Sequence, residues 1–250
     1  MKKPIATIVA AAGIMAALAE TSTNTSASGG VAPEKKPWDS SIAAGLSLTR
    51  GNSSSELATL KFLTAKKGVT DEFSFGADGA HGSSNGTQNN DSIHGFGQWN
   101  HLFSERTFSY VRVEGLHDDI ASVRYRATFT AGMGYYFIKD KATTLAGEIG
   151  PGVVAERIGS TDNTFATLRF AERFEHKFES NRARVWQSVE ILPQVNKLSE
   201  FLVNAEIGAE AAIARNLSLQ VCLDDNYNSQ PAAGSKRIDI KLVSGVSYKF

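Results

Sequence analysis

Residues 201–213, FLVNAEIGAEAAI, alternate between an apolar set and a set rich in carboxylates, amide and glycine. The apolar set holds the odd positions, which are Phe201, Val203, Ala205, Ile207, Ala209, Ala211 and Ile213. Successive side chains of a β-strand point to opposite faces, so a period of two separates these sets. The stretch therefore predicts a strand with one apolar face and one polar face.

The same alternation recurs along most of the chain, most clearly in residues 123–137 and 236–250. Ordinary strands average about 5–6 residues, whereas tilted strands that cross a bilayer need about 9–11. Long strands in an even number are typical of bacterial outer-membrane barrels. We predict an all-β fold, a transmembrane antiparallel β-barrel of about 12 strands. The segments are 38–49, 56–66, 71–81, 91–103, 107–117, 122–138, 142–157, 164–178, 182–196, 200–213, 216–227 and 236–250.

The connections between these segments predict an orientation. Outer-membrane barrels alternate short periplasmic turns with longer outer loops. The even-numbered connections are tight, and most odd-numbered ones are longer and polar, such as residues 82–90, 158–163 and 228–235. Both ends of the barrel domain should then lie on the periplasmic side.

Aromatic residues gather at the segment ends on that predicted periplasmic side. Amphipathic rings suit a membrane interface, so this set predicts an aromatic girdle. Its members are Trp38, Phe73, Trp99, Phe103, Phe108, Tyr110, Tyr135, Phe137, Phe174, Phe178, Tyr248 and Phe250.

A soluble β-sandwich or lipocalin-like barrel is the alternative fold. Soluble barrels hold the apolar face inside, and a period of two does not by itself distinguish inside from outside. Strand length, the aromatic girdle and the small residues on the polar faces favour the inverted, membrane arrangement. We therefore expect localisation in the outer membrane of a Gram-negative bacterium, in contact with its lipid and lipopolysaccharide.

The first residues read as an export signal. Lys2 and Lys3 precede an apolar stretch, and residues 17–19 form a small-x-small cleavage site. The stretch is shorter than the roughly 20 residues of a membrane-spanning helix. We predict a signal peptide over 1–19, a flexible leader over 20–37 that is rich in small and polar residues, and the barrel over 38–250.

Composition excludes several functional classes. The formal net charge is +0, whereas a nucleic-acid surface needs a basic excess. The one cysteine, Cys222, makes no intrachain disulfide or cysteine metal cluster. His117 stands beside Asp118 and Asp119, but no Gly-x-Ser-x-Gly element accompanies them. We predict no catalytic residues, metal or cofactor, with an outer-membrane hydrolase as a distant alternative.

The polar faces predict a densely charged lumen. Two functions are open: the charges line a narrow passive pore for small ions or solutes, or they pair and fill a structural or interaction barrel. Hairpin geometry predicts Glu114 opposite Arg124 and Glu148 near Arg173. The candidate lining residues are Arg112, Glu114, Arg124, Arg126, Glu148, Glu156, Arg169, Arg173, Glu190, Glu206, Glu210, Asp239 and Lys241.

Three stretches resemble a known family. They are LSLTRGNS at 46–53, RYR at 124–126 followed by GMGYY at 132–136, and DNYN at 225–228 before a final YKF. In order and spacing they are similar to a domain-of-unknown-function family of salt-induced outer membrane proteins. The resemblance implies an outer-membrane barrel linked to salt or osmotic stress, and no catalytic residues. Tyr248 and the terminal Phe250 also resemble the signal that barrel-assembly machinery recognises.

The first testable prediction concerns processing. Signal peptidase should cut after Ala19, so that the mature chain begins at Glu20 and fractionates with outer membrane. Intact-mass measurement of protein extracted from that fraction checks this. Recovery of the mature protein in the soluble periplasm would contradict both the export route and the membrane fold.

Overall fold

The computed structural model describes residues 38–49, 55–178 and 182–250, and leaves out the side chains of 47–49. The predicted signal peptide and leader lie outside the described residues. Within the described ranges, no helix is long and apolar enough to cross a membrane.

The described residues form twelve antiparallel strands, 11 to 17 residues long, which confirms the predicted number. In chain order they are β1 Asp39–Thr49, β2 Ser55–Lys67, β3 Asp71–Ser84, β4 Thr87–Leu102, β5 Thr107–Asp118, β6 Val123–Lys139, β7 Thr143–Ile158, β8 Thr161–Lys177, β9 Ala183–Gln194, β10 Lys197–Ala212, β11 Leu217–Asn228 and β12 Ile238–Lys249.

The sheet closes into a barrel because β1 pairs with both β2 and β12. Ser41 lies opposite Lys249 in this closure, and Gly45 lies opposite Gly245. Each of the strands β2 to β11 pairs with its two neighbours in sequence. The predicted all-β antiparallel barrel is therefore confirmed.

Both ends of the barrel domain lie at one end of the barrel, which we call the terminal end, and the other is the distal end. The backbone N–H of Phe250 donates to the carbonyl of Ser40 at 3.0 Å. Residues 229–237 form the long distal loop that was predicted there.

Two other predicted distal loops are wrong, because the strands continue into tight hairpins. The β3–β4 turn consists of Asn85 and Gly86, with φ values of 51° and 78°. Positive φ at both central residues is typical of a type I′ turn, which matches the twist of the paired strands. The β7–β8 turn consists of Gly159 and Ser160.

The apolar faces point outward, as predicted. Ile207 on β10 is 55 % exposed, whereas Glu210 on the same strand is 5 % exposed. On β11, Val221 faces outward and the adjacent Cys222 is buried. The outer surface is thus apolar and the lumen is charged.

The predicted aromatic girdle is wrong for two of its members. Phe108 and Tyr110 are fully buried and pack in the lumen with Tyr136, Ala146 and Leu102. Their direction follows from alternation along β5, because they share a face with the charged Arg112. An aromatic residue at a strand end therefore belongs to the girdle only if its side chain is also on the outward face of the strand.

An adjacent pair on β11 tests the inside–outside assignment. Arginine facing lipid near the bilayer midplane costs about 2–4 kcal/mol. Val221→Arg should therefore block barrel assembly, whereas Gln220→Arg places its charge in the lumen beside Glu210 and should be tolerated. Heat-modifiable migration on gels of the extracted protein measures assembly. Equal damage from both variants would contradict the assignment.

Candidate functional site

The centre of the charged lumen is Glu148, an inward residue of β7. Its carboxylate accepts hydrogen bonds from Arg169 Nη1 at 2.6 Å and Gln98 Nε2 at 2.9 Å, and from Arg173. Glu148 and Arg169 are both buried. A buried charge is tolerated when it is paired and hydrogen-bonded, and these three donors provide such pairing.

Glu190 on β9 extends this network across the lumen. It accepts a hydrogen bond from Arg169, and its carboxylate lies 3.9 Å from Arg112 Nε. Arg112 on β5 also donates to Glu114 Oε2 at 2.7 Å. Because three strands separate β5 from β9 in the barrel order, these contacts join distant parts of the wall rather than neighbouring strands.

Histidine and aromatic groups complete the network towards β3 and β4. His94 lies 2.9 Å from Asp78 through Nδ1 and 3.2 Å from Glu114 through Nε2. The guanidinium of Arg112 lies 4.3 Å from the ring centroid of Phe96, and that of Arg169 lies 5.1 Å from the ring centroid of Tyr110. Cations favour the faces of aromatic rings.

Glycines on β6 and β7 allow these two strands to lie close beneath the network. A Cβ on Gly150 would lie 2.1 Å from the carbonyl oxygen of Ala131. A Cβ on Gly134 would lie 2.2 Å from the ring of Phe108. Gly134 therefore leaves space for the ring of Phe108, and Gly150 allows the backbones of β6 and β7 to lie close together.

A second group of ion pairs lies at the terminal end. Arg184 bridges Glu175 at 3.0 Å and Glu210 at 2.7 Å, and Lys249 lies 2.5 Å from Glu210. The pairs connect β8, β9, β10 and β12. Glu72 on β3 forms a further buried contact, because Tyr136 donates its hydroxyl to it at 2.5 Å.

Beside these groups, a cavity of about 230 Å³ remains open in the lumen. At its boundary, Lys61 Nζ on β2 donates to Glu206 Oε2 on β10 at 2.6 Å. The cavity is lined by Ser41, Ala43, Lys61, Leu63, Thr144, Arg173, Phe174, Glu175, Arg184, Trp186, Gln187, Ser188, Glu206 and Gln220.

Most of the candidate lining residues lie together on the inner face. The predicted contact of Glu148 with Arg173 is confirmed. Arg126 pairs with Glu156 at 2.6 Å, and Asp239 lies 3.6 Å from Lys241. The members of the central network are Arg112, Glu114, Glu148, Arg169, Arg173 and Glu190, while Glu206 and Glu210 pair elsewhere in the lumen.

Arg124 does not join them, and its predicted contact with Glu114 is wrong. Glu114 lies opposite Thr128, because the connection between β5 and β6 occupies residues 119–122, whereas a pairing of Glu114 with Arg124 needs a hairpin centred on residue 119. The β5–β6 register also shifts by one residue between Leu116 and Asp118. Arg124 is exposed near the distal end. A one-residue irregularity reverses which side chains face inward, and the alternation of residues 123–137 does not reveal it.

Glu72 and Trp186 are among the inward residues missing from the predicted lining set. Glu72 has the same parity as Asp78 on β3, and Trp186 has the same parity as Arg184 and Glu190 on β9. The alternation of inward and outward positions along these two strands could have identified both residues. Tyr248 and Phe250, the predicted assembly signal, lie exposed at the terminal end with stacked rings.

One group of side chains has the composition of a cation site. Ligand atoms of Glu206, Cys222 and Asp224 lie within 4.8 Å of one another. Cys222 Sγ donates to Asp224 Oδ1 at 3.1 Å. The ammonium of Lys61 already pairs with Glu206, so the positive charge beside these ligand atoms is supplied by a lysine side chain.

Comparison with known proteins gives a family and a fold. The family described as "Protein of unknown function, DUF481" matches residues 42–250. No curated protein matches the sequence. The structure of the NanC porin has a TM-score of 0.52 and 7% identity, and the match covers 85% of this chain and 100% of that chain.

A weaker structural match is the translocator domain of the autotransporter NalP from Neisseria meningitidis. Its TM-score is 0.43 at 13% identity, covering 88% of this chain and 90% of that one. At these identities the comparisons concern the fold alone. The match to the NanC porin supports the barrel architecture that the strand pairing shows.

The buried network generates a prediction about stability. Arg169→Gln leaves Glu148 and Glu190 without their shared guanidinium, and breaking a buried ion pair costs about 3–5 kcal/mol. Arg157→Gln is the matched control, because Arg157 is 42% exposed and lies 3.8 Å from Asp162. Its loss should cost less than about 1 kcal/mol. Urea unfolding in lipid vesicles measures both variants, and equal losses would contradict a structural role for Arg169.

Proposed function

This chain belongs to the family of proteins of unknown function DUF481, and we propose that it is a narrow outer-membrane channel for small ions or solutes. The observation that carries this proposal is the cavity of about 230 Å³ beside the ion-pair networks. Charged side chains of both signs line it, which is typical of an aqueous path. Twelve strands lie between filled eight-stranded barrels and open porins of about 16 strands.

The fold match supports the same proposal. The NanC protein is described as a porin, and this chain has the same type of closed barrel at similar length. The apolar outer face requires a lipid environment, and export by a signal peptide over residues 1–19 would deliver the chain to the outer membrane. Lipid, lipopolysaccharide and the assembly machinery are the partners that this location implies.

The proposed role is passive, and it needs no catalytic residue or cofactor. The resemblance to salt-induced outer membrane proteins adds a physiological setting, in which the channel functions during salt or osmotic stress. Comparing protein abundance in cells grown at low and at high salt tests that setting independently of conduction.

A filled structural barrel is the second candidate, and the central network favours it. Glu148, Arg169 and Tyr110 are buried in the lumen, so a large part of the cross-section contains no water path. The two candidates differ in whether the cavity connects the two ends of the barrel, which conductance measures directly.

Single-channel recording in planar bilayers distinguishes the candidates. The wild-type protein should conduct in small steps. Ser188→Trp fills the cavity and should reduce conductance several-fold, whereas the adjacent outward Val189→Trp should leave it unchanged. Folded wild-type protein that shows no conductance would contradict the channel and favour the structural barrel. Unchanged conductance in Ser188→Trp would show that the path lies elsewhere.

A further inference from the structure

Lys61 spans the lumen to pair with Glu206. It lies in the middle of β2, opposite Ala43 on β1 and Asp78 on β3. Its Nζ atom is 2.6 Å from Glu206 Oε2 on β10. Three strands, β1, β12 and β11, separate β2 from β10 in the barrel. The pair therefore crosses the lumen as a bridge and lies at the boundary of the cavity.

Acidic groups surround this bridge. Glu206 lies directly opposite Asp224 in the β10–β11 pairing, and Asp78 lies opposite Lys61. Cys222 donates its thiol hydrogen to Asp224, and Trp186 Nε1 donates to Glu206. The indole orients the Glu206 carboxylate, and the thiol orients that of Asp224.

The negative charges near the Lys61–Glu206 pair outnumber the single positive charge of Lys61. Three carboxylates, of Asp78, Glu206 and Asp224, face one ammonium, and Asp78 also lies 2.9 Å from His94. Lys241 lies opposite Asp224 on β12, but its ammonium bonds to Ser92 Oγ at 3.1 Å and lies 3.6 Å from Asp239. A narrow lumen with excess carboxylate attracts cations, and a fixed positive charge there opposes their entry.

We infer that Lys61 is the specificity-determining residue of the lumen, a tethered cation in a constriction formed by Asp78, Glu206, Cys222 and Asp224. A mobile cation must compete with its ammonium for these oxygens. Lys61 thereby limits the preference for cations that the carboxylates alone would impose. This inference deepens the proposed channel function and rests on it only for the ion-selectivity test below.

Reversal potentials in a KCl gradient give the first test. Lys61→Met should shift the permeability ratio towards potassium by several-fold relative to wild type. Lys249→Met is the matched control, because Lys249 also pairs with a lumen carboxylate, Glu210, but lies away from the constriction. An equal shift in Lys249→Met, or none in Lys61→Met, would overturn the assignment of Lys61.

The second test does not depend on conduction. Cys222 is the chain's one cysteine, and its buried thiol lies beside Asp224. Burial slows its reaction with both reagents alike, so the ratio of two rates, rather than either rate itself, reports on the charge at the constriction. We compare cationic and anionic methanethiosulfonate reagents of similar size. The ratio of cationic to anionic rates should rise by about tenfold in Lys61→Met, because removal of a nearby positive charge strengthens the attraction of cations. It should stay at the wild-type value in Lys249→Met.

Lys61→Met strands Glu206 in the lumen, so its assembly is checked first by heat-modifiable migration. If it does not assemble, Lys61→Gln removes the positive charge but keeps an amide N–H that can donate to Glu206. The rate ratio in Lys61→Gln should still exceed that of wild type, because all three carboxylates then face no ammonium, and an unchanged ratio would overturn the inference.

The two tests separate the inference from the channel function. An increased rate ratio at Cys222 in a barrel that does not conduct would support the constriction and overturn the channel. Conduction that is unaffected by Lys61→Met, together with an unchanged rate ratio, would support the channel and overturn the constriction.

Discussion

Backbone hydrogen bonding is the constraint on which the rest of the structure depends. In lipid, each backbone amide and carbonyl must find a partner within the protein, so a membrane sheet has to close on itself. The pairing of β1 with β12 provides that closure. Once the sheet is closed and its outer face is apolar, the alternation of side chains directs every other residue into a shared lumen. Charged residues there are stabilised by pairing with one another.

The lumen satisfies this requirement unevenly. Between β4 and β9, arginines and carboxylates pair across the barrel and pack with aromatic rings, with Glu148 at the centre. Towards β1 and β2 the inward side chains are small, such as Ser41, Ala43 and Gly45. The cavity lies between Ser41 and Ala43 on one side and inward side chains of β8 and β9, such as Arg173 and Trp186, on the other. The ion pairs around Glu148 serve stability, and the solute path that we propose follows the cavity.

Alternation along the sequence predicted the strand number, the inverted faces and most of the candidate lining residues. It did not predict which charges meet, because contacts such as Lys61 with Glu206 join strands far apart in the chain. The position of a hairpin turn was also missed, since the β5–β6 hairpin is centred later in the chain than a pairing of Glu114 with Arg124 requires. The inward position of Phe108 was not predicted either, because an aromatic residue at a strand end suits a membrane interface or an interior cluster equally well.

The most direct test of a lumen that is filled on one side and open on the other uses two cysteines placed in a Cys222→Ser background. Ala43 and Ala146 both face inward near the terminal end, but Ala43 lines the cavity and Ala146 is packed against Tyr136 and Phe108. A water-soluble, membrane-impermeant thiol reagent should modify Ala43→Cys rapidly and Ala146→Cys at least about tenfold more slowly, since burial restricts access to the thiol. Equal rates at the two positions would contradict this account.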